Sequence, residues 1–159
     1  MHDTAADLLD RLLSDHPGLP LDAPAVLFGA AVHDIGKTVH PEELTGPGNR
    51  HEEAGRRLLL DHGVPEHLAR FCATHGDWAA PDRTLEDLAV TLADKVWKGA
   101  RVGDLETLVA RRIAAAADLA AWEAYASLDD HLTALAEAAD PRLAHQNSHP
   151  LTPRAGEPS

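Results

Sequence analysis

The chain has 159 residues, of which 44% are hydrophobic and 25% charged, the composition of one globular domain rather than of a disordered chain. The 14 Lys and Arg against 26 Asp and Glu give a net charge of −12, which argues against nucleic-acid polymers and anionic membranes as partners. The lone Cys72, the lack of an apolar run of roughly 18–20 residues and the lack of a signal pattern predict a cytoplasmic protein without disulfides or membrane spans.

Hydrophobic periodicity predicts helices along the chain and almost no strand. Apolar residues recur at helical spacing from Ala5 to Leu13, and this first helix stops before Pro17. A second helix opens at Asp22, whose side chain can cap it, with a proline in its first turn. Its residues are apolar on all sides as far as Val32, which predicts a central, buried helix.

The rest of the chain is predicted to consist of one surface loop followed by further helices. Residues 38–50 contain two Pro and two Gly, which favours the loop, and Asn49 and Glu52 resemble a capping pair at the start of the third helix. The later helices are expected from Asn49 to Gly63, from Pro65 to about His75, from Thr84 to Trp97, from Asp104 to Ala117 and from Leu119 to Ala139. The pattern predicts an all-α fold of about six to eight helices in one domain, residues 1–139, with a disordered tail at 140–159.

Eleven histidines are many for this length, and several fall on the apolar faces of predicted helices. His33 and Asp34 end the buried second helix, and Asp94 lies inside an apolar helix, where an unpaired ionisable group costs several kcal/mol. A single inward histidine is more often a hydrogen-bonded core residue, and an inward aspartate is usually a cap or half of an ion pair. Six such residues facing one core favour a metal site instead. These residues are His2, His33, Asp34, His51, His75 and Asp94.

The run Ala-Ala-Val-His-Asp-Ile-Gly-Lys at residues 30–37 resembles the signature of the HD superfamily of metal-dependent phosphohydrolases. The order His, His-Asp, His, His, Asp is similar to that of its binuclear branch, and the resemblance covers about residues 2–101. The segments that begin at His51, Ala73 and Leu92 look most like small bacterial HD hydrolases of diadenosine tetraphosphate. Cyclic-dinucleotide phosphodiesterases share the His-Asp-Ile-Gly-Lys run, but their Gly-Tyr-Pro triplet is absent from this chain.

The resemblance implies a compact HD-type helical domain that binds two divalent metal ions, with iron favoured and Mn, Co, Ni and Zn as alternatives. Imidazole and carboxylate ligands without thiolate suit these metals. The family pattern has His2, His33, Asp34 and Asp94 hold one ion, with Asp34 bridging to a second ion held by His51 and His75. A hydroxide generated between the ions would attack the phosphorus of a small-molecule phosphoester or nucleotide.

Basic residues beside these positions are the candidates for binding phosphate. Lys37 stands one turn beyond the His-Asp pair and is taken with Asp34 as the catalytic pair; it also suits a plain cation at a helix C-terminus. Lys98 and Arg101 follow Asp94 at i+4 and i+7 and are predicted to share its side of the helix. Solvated surface charge is the alternative for both.

Two other functions fit the same residues. Some HD proteins with the same six ligands hold mixed-valent di-iron and use dioxygen to cleave C–C or C–P bonds, and nothing in the ligand order excludes this. A domain that binds metal or nucleotide without turnover is the second alternative. The helices after Gly103 are expected either to cover the core or to form a homodimer face.

Overall fold

The computed structural model describes residues 1–139, 141 and 144, and every regular element within these residues is helical, which confirms the predicted all-α fold. The α-helices are α1 (His2–Asp15), α2 (Ala23–Val32), α3 (Arg50–Asp61), α4 (Glu66–Ala69), α5 (Phe71–Thr74), α6 (Leu85–Trp97), α7 (Gly103–Ala117) and α8 (Ala121–Glu137). Two 3₁₀ turns, Ile35–Thr38 and Pro41–Leu44, precede α3. The predicted tail lies outside the described residues apart from positions 141 and 144, and the boundary at residue 139 stays a prediction.

Helix α6 is the centre of the fold, and nine of its 13 residues are buried. It packs against α1, α2, α7 and α8. Helices α7 and α8 therefore cover the core, which is one of the two roles expected for the helices after Gly103. Trp122 on α8 is exposed, and the homodimer stays a prediction. None of the helices in the described part of the chain combines the length and the apolar character that a bilayer crossing requires.

Helix α2 is central but less enclosed than its sequence predicts. Its N-terminus is capped as expected, since the Asp22 carboxylate accepts a hydrogen bond from the amide of Ala25 at 3.0 Å. One face is buried against α1, α5 and α6, whereas Phe28 is half-buried and Ala31 is exposed. An all-apolar helix is fully enclosed only if neighbours cover every side, and here helices cover part of its circumference.

The turn after α2 makes a close backbone approach to α3. A Cβ atom at Gly36 would lie 1.9 Å from the carbonyl oxygen of His51 and 2.6 Å from the amide nitrogen of Gly55. Only glycine fits such a contact, because neither backbone can move without separating the two elements. This contact sets the distance between the His-Asp pair at the end of α2 and the histidine of α3.

The segment predicted as one helix up to His75 is divided into α4 and α5 at Arg70. The Arg70 guanidinium donates to Asp87 at 3.0 Å and to Thr84 at 3.1 Å, and Thr74 also donates to Asp87 at 3.0 Å. Thr84 and Asp87 form a capping box at the start of α6, where the sequence predicts that a helix begins. The buried Asp87 carboxylate therefore joins the His75-bearing segment to the helix that carries Asp94.

Asp87→Asn is expected to lower the free energy of unfolding by about 2 kcal/mol at pH 7, because the variant loses a buried charged acceptor. Burial alone would raise the pKa of Asp87, but hydrogen bonds from Thr84 and Arg70 outweigh it and hold this pKa below its usual value. A carboxylate with a lowered folded pKa stabilises the fold above its unfolded pKa and loses that contribution as the pH falls. Urea unfolding should therefore show that the difference in free energy of unfolding between the unmodified protein and Asp87→Asn becomes smaller as the pH falls below 3.8, the pKa of an unperturbed Asp. The exposed Asp82→Asn is the control, and a difference that does not change with pH would contradict the assignment.

Candidate metal centre

His33 follows the last residue of α2 and directs one ring nitrogen into the protein. Its Nδ1 lies 3.1 Å from the carbonyl oxygen of Ala30. Because a carbonyl only accepts, Nδ1 is the donor, and Nε2 is the ring nitrogen left for another partner. That Nε2 is buried without a hydrogen bond, 3.5 Å from Asp34 Oδ2 and 3.4 Å from Asp94 Oδ1. His33 is therefore oriented as a ligand towards two carboxylates.

His51 lies in the first turn of α3 and is oriented by a residue of the preceding 3₁₀ turn. Its Nδ1 lies 2.6 Å from Glu43 Oε2, and the same carboxylate accepts from the backbone amides of Arg50 at 3.1 Å and His51 at 3.0 Å. Glu43 thus caps α3 and holds the His51 ring at once. The Nε2 of His51 is buried without a hydrogen bond, 3.2 Å from Asp34 Oδ1.

His75 follows α5 and completes a group of three imidazoles. Its Nδ1 lies 3.2 Å from the carbonyl oxygen of Phe71, which leaves Nε2 free, 3.7 Å from Asp34 Oδ1. Its ring centroid is 4.9 Å from that of His33 and 5.8 Å from that of His51. Burial, with the neighbouring His33, lowers the pKa of His75 to about 4. The ring is therefore neutral at neutral pH, the state in which imidazole binds metals.

The two aspartates of the cluster are each paired with a lysine. Lys37 donates to Asp34 Oδ2 at 2.6 Å, and Lys98 donates to Asp94 Oδ2 at 2.9 Å. Burial raises the pKa of Asp94, but His33 and Lys98 outweigh it and hold this pKa well below its usual range. The Asp34 side chain is 33% exposed, against 8–9% for the three imidazoles, so the cluster reaches solvent at Asp34.

The donor set fits divalent metal ions. Two buried atoms, the Nε2 atoms of His33 and His51, make no hydrogen bond within the described residues. Buried polar atoms without a partner are rare, and these two belong to one cluster. Oδ1 of Asp94 lies beside them, 3.4 Å from the Nε2 of His33 and 2.7 Å from the Lys98 ammonium. Two groups have ligand atoms within 4.8 Å of one another: His33, Asp34 and His75 form one, and His51, Glu52 and His75 form the other. First-row divalent metals accept carboxylates and imidazoles as ligands, and each imidazole here is held in place through its Nδ1.

Two of the residues predicted from the sequence have other partners in the structure. The expectation that His2 faces inward is wrong, because its side chain is 52% exposed and its Nδ1 lies 3.1 Å from Asp3. Its assignment as a metal ligand stays a prediction. The expectation that Arg101 shares a helix face with Asp94 is also wrong, because α6 ends at Trp97. Arg101 instead pairs with Glu106 at 2.8 Å and with Asp129 on α8. The other predicted residues, Lys37 and Lys98 included, lie together.

The candidates that the sequence offers do not include two acidic residues of the site. Glu43 lies in a segment that the sequence predicts as a loop, and the predicted cap of α3 is Asn49, whose side chain makes no cap hydrogen bond. One signal points to a residue such as Glu43: a histidine that binds metal through one ring nitrogen needs a hydrogen-bond acceptor for the other. The sequence pattern assigns Glu52 only to helix capping, although Glu52 directly follows His51, a predicted ligand. Burial raises the pKa of Glu52, and the neighbouring carboxylates add to this.

Glu43→Ala is expected to weaken the affinity for divalent metal about 10–100-fold, because the His51 ring loses the partner that orients it. The measurement is competition between the full chain and a chelator of known affinity for Mn²⁺ or Zn²⁺. Glu42→Ala is the matched control, because Glu42 is the adjacent residue of the same turn and its side chain is 57% exposed. Equal affinities in the two variants would show that Glu43 only caps the helix.

Comparison with known proteins assigns the chain to a family. The family model of the HD domain matches residues 4–97, which include the whole cluster and begin two residues after His2. Comparison with curated proteins and with solved structures gave no match. The matched stretch covers more than half of the chain and carries the His-Asp pair, the two further histidines and the final aspartate in family order. The chain therefore belongs to the HD domain family, the superfamily of metal-dependent phosphohydrolases.

Proposed function

We propose that the protein is a metal-dependent phosphohydrolase that acts on a small-molecule phosphoester, with a nucleotide as the favoured substrate. The observation that carries this proposal is the convergence of three imidazoles and two aspartates at a cluster that reaches solvent through Asp34. Membership of the HD domain family supports the reaction class. The resemblance of short segments to diadenosine tetraphosphate hydrolases supports a nucleoside polyphosphate as the first substrate to test.

The residues present divide the work of such a reaction. Bound divalent ions would supply Lewis acidity, which polarises a phosphoryl oxygen and lowers the pKa of a water molecule. Asp34 is central, because its Oδ1 lies 3.2 Å from the Nε2 of His51 and 3.7 Å from that of His75, while its Oδ2 lies 3.5 Å from that of His33. It is therefore the one carboxylate placed to join the His33 side of the cluster to the His51 side.

Lys37 and Lys98 are the residues best placed to hold a phosphate group. Each ammonium lies against a carboxylate of the cluster, and each side chain is partly exposed, 22% for Lys37 and 46% for Lys98. A substrate phosphate beside Asp34 would bring its negative oxygens towards these two cations. Lys95, 3.6 Å from Asp94, adds a third positive charge to this side of an acidic protein.

The test is phosphate or nucleotide release by the full chain after reconstitution with Fe²⁺, Mn²⁺, Co²⁺, Ni²⁺ or Zn²⁺. The substrates are diadenosine polyphosphates, nucleoside mono-, di- and triphosphates and a chromogenic phosphodiester. Turnover that is lost on chelation and restored by metal would support the proposal. Oxygen consumption by the iron-loaded protein, with no phosphate released from any ester, would contradict the proposal and indicate an oxygenase instead. Tight nucleotide binding without any product would replace it by a binding domain.

A further inference from the structure

We propose that Glu52 is a ligand of a divalent metal ion at a second position, formed with His51 and His75. The inference deepens the proposed function and rests on it for the presence of divalent ions in the cluster. One ligand atom of each of these residues lies within 4.8 Å of the others. The Nδ1 atoms of both rings are engaged by Glu43 and by the carbonyl of Phe71, so the two Nε2 atoms are the ring nitrogens left for a metal ion.

The His51 ring supplies an independent reason to place a cation there. Its side chain is only 8% exposed, and its Nε2 makes no hydrogen bond within the described residues. A buried imidazole nitrogen without a donor is costly, and a metal ion satisfies it. A carboxylate beside that nitrogen adds the negative charge that a divalent ion requires.

Glu52 differs from the two aspartates of the cluster in its partners. Asp34 is paired with Lys37 and Asp94 with Lys98, whereas the Glu52 carboxylate has no hydrogen bond and no cationic partner in the described part of the chain. It is partly buried, and further negative charge surrounds it on Glu43 and Asp34. A partly buried carboxylate among like charges is unfavourable without a cation. A divalent ion held with the neighbouring imidazoles compensates it.

Gly76 provides the space in which this carboxylate lies. A Cβ atom at Gly76 would come 2.3 Å from Glu52 Oε1 and 3.0 Å from its Cδ. Gly76 is the residue directly after His75, so the missing side chain lets the carboxylate of α3 come to the histidine that follows α5. The backbone of Gly76 does not have a positive φ, so conformational freedom does not require a glycine there.

The resulting ligand set is two imidazoles and one carboxylate, a combination that leaves coordination positions open and suits Fe²⁺, Mn²⁺ and Zn²⁺. His75 belongs both to this set and to the set with His33 and Asp34. The second ion would therefore have a carboxylate of its own, in addition to any bridge through Asp34.

The experiment is a calorimetric titration of the metal-free full chain with Mn²⁺, together with elemental analysis of the metal-loaded protein. We expect about two ions per chain for the unmodified protein. Glu52→Gln should lose the second ion or bind it at least about tenfold more weakly, as expected for the loss of an anionic ligand. Glu53→Gln is the matched control, because Glu53 is the next residue of the same helix, its side chain is 60% exposed and its partner is Arg56. Circular dichroism of the metal-free variants checks that each is folded.

A second variant tests the position of the Glu52 carboxylate rather than its charge. Gly76→Ala keeps every ligand and every charge but puts a methyl group where the Glu52 carboxylate lies, so it should weaken the same ion. Wild-type affinity for both ions in Glu52→Gln would overturn the inference. If the ions bind as expected but no ester is hydrolysed, the ligand assignment stands and the proposed function fails.

Discussion

Asp34→Ala is expected to abolish phosphate release, with a loss of at least about a thousandfold in kcat/KM. Asp34 is the carboxylate that lies within 3.7 Å of the Nε2 atoms of all three imidazoles in the cluster, so its removal takes away a donor shared by the whole site. It also frees Lys37, whose ammonium is bound to it at 2.6 Å. The metal content per chain should fall together with the activity. Both are measured on the same reconstituted sample.

The helix content of Asp34→Ala should stay close to that of the unmodified protein, because the residue is partly exposed and lies between α2 and the following 3₁₀ turn. Circular dichroism checks this. Asp61→Asn, at the exposed end of α3, is the control and should keep full activity and metal content. Full activity in an Asp34→Ala protein verified to be free of metal would contradict the metal mechanism altogether.

Gly36→Ala is expected to lower the free energy of unfolding by about 3 kcal/mol. The new methyl carbon would lie 1.9 Å from the carbonyl oxygen of His51 and 2.8 Å from its carbonyl carbon. Real Cβ atoms do not approach so closely, and the obstacle is helix backbone rather than the end of a flexible side chain. The turn and α3 must therefore separate, which also moves His51 away from Asp34. Urea unfolding measures the first effect, and metal affinity measures the second.

The control for this substitution is Gly103→Ala, since a Cβ at Gly103 meets nothing within 4 Å. It should leave stability unchanged or raise it by up to about 1 kcal/mol, because alanine is the better helix former. A Gly36→Ala protein within about 0.5 kcal/mol of the unmodified chain would show that the contact between turn and helix can relax freely. In that case it would not set the spacing of the site.

The helices could be predicted from the sequence because each depends on local signals. The Asp22 cap is present as expected, and the helix start predicted at Thr84 is formed by a capping box with Asp87. Both caps join residues three positions apart. Arg70 illustrates where local signals end. The break between α4 and α5 lies at Arg70, whose guanidinium binds Asp87, 17 residues away along the chain. Hydrophobic periodicity contains no information about such a distant partner.

The site was predictable to the extent that its residues follow helix faces. His33, His51 and His75 come together with Asp34 and Asp94, as their inward positions indicated. Two predictions were wrong: that His2 faces inward, and that Arg101 shares a helix face with Asp94. Both residues lie at or beyond helix ends, where extrapolation by helical spacing no longer holds. His2 is the first residue of α1, and Arg101 lies four residues beyond the end of α6.

By itself, the sequence determined the class of fold and the chemical character of the cluster, because periodicity, caps and residue types are properties of short segments. Only the tertiary structure decided which side chains share the site. Glu43 reaches His51 from a 3₁₀ turn, and Glu52 approaches His75 because Gly76 leaves room. Both contacts depend on how α3 packs against its neighbours. That packing is a long-range property, decided by backbone approaches such as the one at Gly36, and residue spacing along the chain does not encode it.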